Sequence, residues 1–436
     1  MDVSIETLSS LERRLTVSVP ADRLEGEVRE RLRELSRSMQ MKGFRRGKVP
    51  AKVVEQRFGA QVRNEALGEV VRNSFNEAVD QEKLRPASAP SIETNGTAEN
   101  GQLRYTATFE VIPDFGKIDV STLAINRVVA TVDDADIDQM IETLRAQRRS
   151  FEPVTRGAQA QDMVMAETFA VAGDLRVPAE NYEIGGTLLG SGMMHPSIEE
   201  ALVGMSVGEE KSVAVSFAAD WRVPELAGKD ATVTVKVTRI AEPTLPALDK
   251  AFIESFGVRG GDLATFRNEV RSNLERELKG ALMASLRAEV IDKLVAAYSN
   301  VEMPVRLIDA EARSLAAQAE KQAAEQGRKG VSVAPDAMKA SAQRRVAAGL
   351  LLSEIARQEQ MMLDGKRLNE TMGLIASTYE DPQQVLELYR SDEKLMAGLR
   401  TRVMEDQVVE WIADHAAVTE MPSSFSDVMR SGQQTA

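Results

Sequence analysis

Eight apolar residues spaced four apart constrain this chain more than any other feature: Phe266, Val270, Leu274, Leu278, Leu282, Leu286, Val290 and Leu294. They predict one long helix, N-capped by Asp262 after two glycines. A step of four overshoots the 3.6-residue turn, so the stripe winds around the helix, which then packs against different partners along its length. With 436 residues, the chain has room for roughly three domains of about 150 residues. Hydrophobic residues at 43% and charged residues at 28% exclude wholesale disorder. There is no cysteine, which excludes a disulfide framework, a thiol nucleophile and a zinc–thiolate site. The two histidines, His195 and His415, are far apart in sequence, so a histidine metal cluster or catalytic triad is not expected. No cofactor and no metal are expected, and no nucleotide-binding, GxSxG or EF-hand spacing is present.

Pattern and punctuation divide the chain into a multidomain α+β arrangement. In residues 1–112, Leu15, Val17 and Val19 alternate as a half-buried strand, and Leu103, Tyr105, Ala107, Phe109 and Val111 repeat the pattern. Between them, Leu24, Val28, Leu32, Leu35 and Met39 predict an amphipathic helix. A second helix is expected from Val53 to about Glu82, with a break near Gly59. Residues 113–150 read as a connector: a strand over 125–132, then a helix carrying Ile137, Met140, Ile141 and Leu144. Residues 151–243 are β-rich, with runs at 163–171, 211–217 and 231–240 between glycine turns. Residues 244–436 are expected to be helical to the end, with Pro304, Pro335 and Pro382 starting three helices.

Charge is uneven. The chain carries −13 overall, but residues 1–112 hold 18 basic and 17 acidic side chains. Residues 35–54 contain Arg37, Lys42, Arg45, Arg46, Lys48 and Lys52 and no acid. At the centre stands GFRRGKVP, Gly43 to Pro50, between two predicted helices. Its glycines permit a sharp turn, which would present Phe44 among guanidinium groups as an interface anchor. A solvated loop with Phe44 folded into the core fits the same residues. The segment resembles the ribosome-docking signature of the bacterial trigger factor family, chaperones that meet nascent chains at the exit tunnel. By position, Phe44, Arg45 and Arg46 match the contact triplet, with Arg46 where many relatives carry lysine, and Gly43, Gly47, Lys48 and Pro50 complete the motif. FIESFG (252–257), EVRSNLEREL (269–278), YEDPQQVLELY (379–389) and VTEMPSSFSDVM (418–429) resemble the C-terminal domain of that family.

The resemblance implies a ribosome-binding domain at 1–112, a linker at 113–150, an FKBP-type peptidyl-prolyl isomerase domain at 151–243 and a helical chaperone domain at 244–436. The middle motif is GMMHPSIE (192–199) followed by ALVG (201–204). Carried over by position, the pocket candidates are Thr168, Met194, Ile198, Trp221 and Val233. Thr168, Ile198 and Val233 stand where the family pattern has aromatics, so the expected pocket is poor in aromatic walls. Trp221 is the aromatic retained on the rim, with Phe169 and Tyr182 as further candidates. His195 reads as a packed or surface residue. The acid pairs Glu199–Glu200 and Glu209–Glu210 read as solvated turns.

Ten of the 19 methionines fall in residues 246–436, including Met361, Met362, Met372, Met396 and Met404. A flexible thioether suits a surface that accepts many shapes, and it fills cores equally well. The implied partners are a ribosomal protein at the tunnel exit with adjacent ribosomal RNA, and nascent or unfolded chains; the resemblance also admits a homodimer off the ribosome. The first residues lack a basic segment followed by an apolar one, and no run approaches the roughly 20 apolar residues of a membrane span, so a cytoplasmic protein without a membrane partner is expected. Two other readings compete with the ATP-independent chaperone: an isomerase whose helices only recruit substrate, and an RNA-binding protein using the basic loop. The replaced aromatics oppose the first, and the acidic body opposes the second.

Overall fold

The computed structural model describes residues 1–39, 49–97, 102–221, 223–328 and 330–434. The chain separates into two compact units, each assembled from distant segments: residues 1–129 with 283–422, and residues 130–282 with 423–436.

The first unit contains a four-stranded antiparallel sheet in the order Asp2–Thr7, Glu12–Val19, Leu103–Glu110, Ser91–Thr97. Leu15 faces Ala107 and Val17 faces Tyr105 across the central pair. This register puts every apolar residue of both alternating runs on one face, because side chains alternate with period two. Two helices cover that face, Ala21–Ser38 and Ala51–Gln81, and bring Leu24, Val28, Leu32, Val54, Val62 and Phe75 into the core. The expected break at Gly59 does not occur. An isolated glycine costs a helix only about 1 kcal/mol, and Phe58 and Val62 beside it pack on the core. Ion pairs Arg23–Glu77, Arg63–Glu25 and Arg31–Glu69 lace the two helices together.

A second core in this unit joins segments remote in sequence. Phe115, Ile118, Val120, Leu123 and Ile125 pack with Leu286, Val290 and Leu294, with Leu351 and Ile355, and with Val408 and Ile412. The strand Ala124–Val129 pairs in parallel with Ala417–Pro422. That last strand corrects the expectation that residues 244–436 are helical throughout: Val418 and Thr419 are β-branched residues that suit an extended chain. Glu110 joins the two cores. The helix Val305–Glu325 follows Pro304, which offers no side-chain cap, and the buried Glu110 carboxylate accepts from Val305 N at 3.1 Å and Arg306 N at 2.8 Å. A carboxylate at a helix N-terminus satisfies orphan N–H groups and complements the dipole.

In the second unit, a six-stranded sheet is ordered Glu210–Ser216, Asp230–Thr244, Met163–Ala172, Leu175–Val177. Ser150–Pro153 pairs with the long Asp230–Thr244 strand, and Glu183–Leu188 with Met163–Ala172. Helix Pro196–Leu202 contributes Ile198 and Leu202 to the core beneath, beside Val164, Val215, Val235 and Val237. A further core unites Ile137 and Ile141 of helix Asp134–Gln147 with Phe252, Ile253, Phe266, Val270 and Leu274. The connector therefore splits by packing, its 115–125 part into the first unit and its helix into the second. So does the helix Leu263–Ala297, whose ladder feeds one core with Phe266 to Leu274 and another with Leu286 to Leu294.

Glu354 in the first unit is buried and accepts from Arg85 at 2.6 Å, from Arg357, and from Gln358 at 3.0 Å. The Arg357 guanidinium is the main cause that holds its carboxyl down to about 2, with Arg85 and Gln358 adding to it. A lowered carboxylate stabilises the fold above its unfolded value of about 4.3, and this contribution is lost as pH falls toward 2. Replacing Glu354 with Ala should cost about 1–3 kcal/mol at pH 7 and much less at pH 3. Urea unfolding at the two pH values, followed through Trp411, which packs in this unit, checks this; equal destabilisation at both would contradict the assignment.

Candidate functional site

A cavity of about 290 Å³ opens in the β-rich part of the second unit. Its apolar lining includes Ile198 and Val233, both buried, with Val177 and Leu226. Phe217 and Trp221 form an aromatic wall, their centroids 5.1 Å apart. His195 lies edge-on to both at 5.9 Å, and its Nδ1 accepts from Ser197 N at 3.3 Å as the N-cap of helix Pro196–Leu202. Further lining comes from Thr168 and Phe169 on one strand, from Glu183, Gly185 and Gly186 on its neighbour, and from Met193 and Met194.

The five pocket residues chosen from the sequence, Thr168, Met194, Ile198, Trp221 and Val233, thus all line one cavity. The expectation of a wall poor in aromatics needs correction. The further candidate Phe169 lines the cavity, and so does Phe217, which the sequence reading missed; Phe217 closes the wall from just beyond the strand Glu210–Ser216, away from the positions where the sequence pattern places aromatics. Tyr182 does not line it; it packs edge-on to Phe169 at 5.5 Å. Arg176 lies 4.4 Å over the Phe169 ring and donates to the carbonyls of Pro178, Ala179 and Asn181, fixing the loop beside the cavity.

Glu199 overturns the reading of its acid pair as a solvated turn. The side chain is buried and accepts from Thr187 Oγ1, Gly190 N, Gly192 N and Met194 N at 3.0 to 3.3 Å. Burial by itself pushes its pKa up; the bonds from Met194, Gly190, Thr187 and Gly192 together outweigh that and hold the carboxyl below the usual carboxylate range. The glycine-rich 185–192 stretch carries the signal that could have found it, since a turn leaves amides in want of an acceptor.

The basic loop residues Gly43, Phe44, Arg45, Arg46, Gly47 and Lys48 lie outside the described residues. Their stem is described: Ser36 Oγ donates to Val49 O at 2.6 Å and Val49 is buried, so the segment joins the ends of two packed helices.

In the first unit, a cleft of about 340 Å³ is lined by Leu352, Ala356, Leu363, Met404 and Val408. Burial raises the pKa of Glu405 at its side. Of the methionines singled out from sequence, Met372 is buried, Met361, Met396 and Met404 pack partly buried, and Met362 is 85% exposed. Exposed apolar area near the helices beyond 363 comes also from Leu374, Tyr379, Leu388 and Leu395. Among the described residues no group of three or more His, Asp or Glu could hold a metal ion, and no helix is long and apolar enough to cross a membrane.

Comparison with known proteins agrees over nearly the whole length. The family described as bacterial trigger factor protein matches residues 1–144, and its C-terminal counterpart matches residues 262–414. The trigger factor of Stenotrophomonas maltophilia (strain K279a) is 54% identical over 433 residues, covering 99% of this chain and 100% of that protein. The chain belongs to the trigger factor family of chaperones. The trigger factor of Xanthomonas axonopodis pv. citri (strain 306) is 53% identical over the same length. A solved structure of the trigger factor chaperone covers 95% of this chain at 15% identity with a TM-score of 0.42, too distant a likeness to add to this.

Within this trigger factor fold, Glu199 makes the cavity sensitive to acid. Its lowered pKa stabilises the fold above about pH 4.3, and that contribution is lost as pH falls through its folded value. Trp221 fluorescence, read in a Trp411→Phe background, should report loosening of the cavity wall below about pH 4, and Glu199→Gln should remove that acid transition. A transition of unchanged midpoint in the variant would assign it to another group.

Proposed function

We propose that this protein is an ATP-independent chaperone that docks on the ribosome at the exit tunnel, holds nascent and unfolded chains, and isomerises prolyl bonds in its middle domain. The observation that carries the chaperone reading is identity of 54% along 99% of the chain. In this reading residues 1–112 dock, 113–150 link, 151–243 isomerise and 244–436 hold clients, in the cytoplasm and without a cofactor.

Docking falls to Phe44, Arg45 and Arg46, supported by Gly43, Gly47 and Lys48. The ribosomal partner is a tunnel-exit protein with neighbouring RNA. Arginine pairs bidentately with carboxylate and phosphate alike, and a lone phenylalanine among arginines supplies the apolar anchor. An acidic body, −14 over residues 113–436, is repelled by RNA, which confines contact to this loop.

The isomerase reading rests on the cavity. A prolyl amide resists rotation because resonance gives its C–N bond partial double-bond character, with a barrier of about 18–20 kcal/mol. The planar form is charge-separated, so an apolar, water-poor enclosure disfavours it relative to the twisted one. Phe217, Trp221, Ile198 and Val233 offer such an enclosure, and the reaction needs no nucleophile or metal. Thr168 and Met194 complete the wall. This aromatic lining supports the presence of isomerase activity more strongly than the sequence pattern did. Clients would be held by scattered apolar contacts, Met362, Leu374, Tyr379 and Leu388 among them. Dispersed contacts allow release without ATP.

Changing Phe44, Arg45 and Arg46 together to Ala should abolish co-sedimentation with ribosomes while aggregation suppression by the free protein persists. Wild-type binding should weaken as salt rises; unchanged binding of the triple variant would reject the docking assignment. For the isomerase, the chain should accelerate proline-limited refolding of a denatured protein, and Trp221→Ala should slow it about tenfold or more. A wild-type rate equal to the uncatalysed one would leave the middle domain as a client-binding module.

A further inference from the structure

Glu199 takes no part in the apolar mechanism above, yet it is buried immediately after Ile198 of the cavity lining. Its two oxygens divide one turn between them. Oε1 accepts from Thr187 Oγ1 at 3.0 Å and Met194 N at 3.1 Å. Oε2 accepts from Gly190 N at 3.0 Å and Gly192 N at 3.3 Å. Both glycines have positive φ, +90° and +71°, so this backbone follows a path that glycine permits at low cost and that a carboxylate then fixes. Bonds to an ionised acceptor are roughly twice as strong as neutral ones. The segment so held ends at Met194, which lines the cavity.

We propose that Glu199 is a positioning residue for prolyl isomerisation: its ionised carboxylate fixes the 190–194 turn and thereby sets the place of Met194 in the cavity wall. The inference rests on the isomerase reading of the cavity. Glu199 touches no substrate in this scheme and acts through the backbone it holds. A prolyl ring would be gripped mainly by Phe217, Trp221, Ile198 and Val233, which do not depend on these bonds. Removing the clamp should therefore affect the twisted state, which needs the wall in one place, more than the first binding of the peptide. A wall displaced by about 1 Å can cost up to 100-fold in rate.

Glutamine tests charge and geometry with one atom changed. Its Nε2 would oppose two amide donors if it faced Gly190 and Gly192. Facing Thr187 and Met194 it opposes only one, because the threonine hydroxyl can turn and accept. E199Q should thus keep the 190–192 turn and release Met194. The experiment uses the full chain and a short proline peptide, with kcat and KM determined separately and Trp221 fluorescence and thermal unfolding as checks on folding. E199Q should lower kcat about tenfold with KM changed less than threefold, and E199D, one methylene short of Met194, should fall with it. Val237→Ala, which removes buried sheet packing outside the cavity lining, should lower the unfolding temperature without lowering kcat.

A folded E199Q with wild-type kcat overturns the inference and leaves the isomerase reading standing. So does an equal loss of kcat in Val237→Ala, which would make the effect one of general stability. Failure of both Glu199 variants to fold also overturns it, since the residue would then be a determinant of the fold alone. A wild-type chain with no rate on the peptide overturns the isomerase reading and this inference with it.

Discussion

The helix Leu263–Ala297 is the element on which the rest depends, because its side chains belong to two cores at once. Phe266, Val270 and Leu274 are buried among Ile137, Ile141 and Phe252, whereas Leu286, Val290 and Leu294 are buried among Phe115, Ile125, Leu351 and Ile412. The four-residue step rotates the apolar stripe away from a fixed face. A heptad pattern would have kept a single face toward a single partner. One sequence periodicity thus commits a single element to two assemblies, each completed by segments more than a hundred residues away.

Buried carboxylates then fasten the fold by accepting from several donors each, Glu110 and Glu354 across segments far apart in sequence and Glu199 and Asp162 within local turns. Glu110 takes the first amides of the helix that follows Pro304, Glu354 gathers Arg85 and Arg357, and Glu199 holds the turn beside the cavity. Asp162 is bound by Arg156 and by Gln159 N. In each case a charge leaves water, which is costly, and recovers that cost through several donors at once. In a chain of net charge −13, a share of the acid serves the interior, and Asp162, Glu199 and Glu354, whose partners hold their carboxyls below the usual range, confer sensitivity to low pH.

The alternating strands, the first helix and the connector helix were legible because their periods are local and clean. The long second helix was legible except at Gly59, where tertiary packing outweighed a local propensity. The Asp2–Thr7 strand was not foreseen; only its pairing with Glu12–Val19 makes an exposed run of DVSIET extended. The Ala417–Pro422 strand escaped notice because parallel pairing with Ala124–Val129 is non-local. At the cavity, resemblance selected five lining positions but missed Phe217, which enters the wall from a neighbouring strand. Glu199 was hidden by Glu200, since adjacent acids look alike in a sequence while one points in and the other out.

By itself, the sequence determined most of the element types, the basic run between two helices, the lack of thiol chemistry and the family. All of these are written in spacing, composition and motif. Tertiary structure alone decided which segments share a core, that Glu110, Asp162, Glu199 and Glu354 are buried, and that Phe217 joins Trp221 in one aromatic wall. The reason is physical: propensity and periodicity act over a few residues, whereas burial and hydrogen-bond satisfaction depend on what the rest of the chain brings alongside.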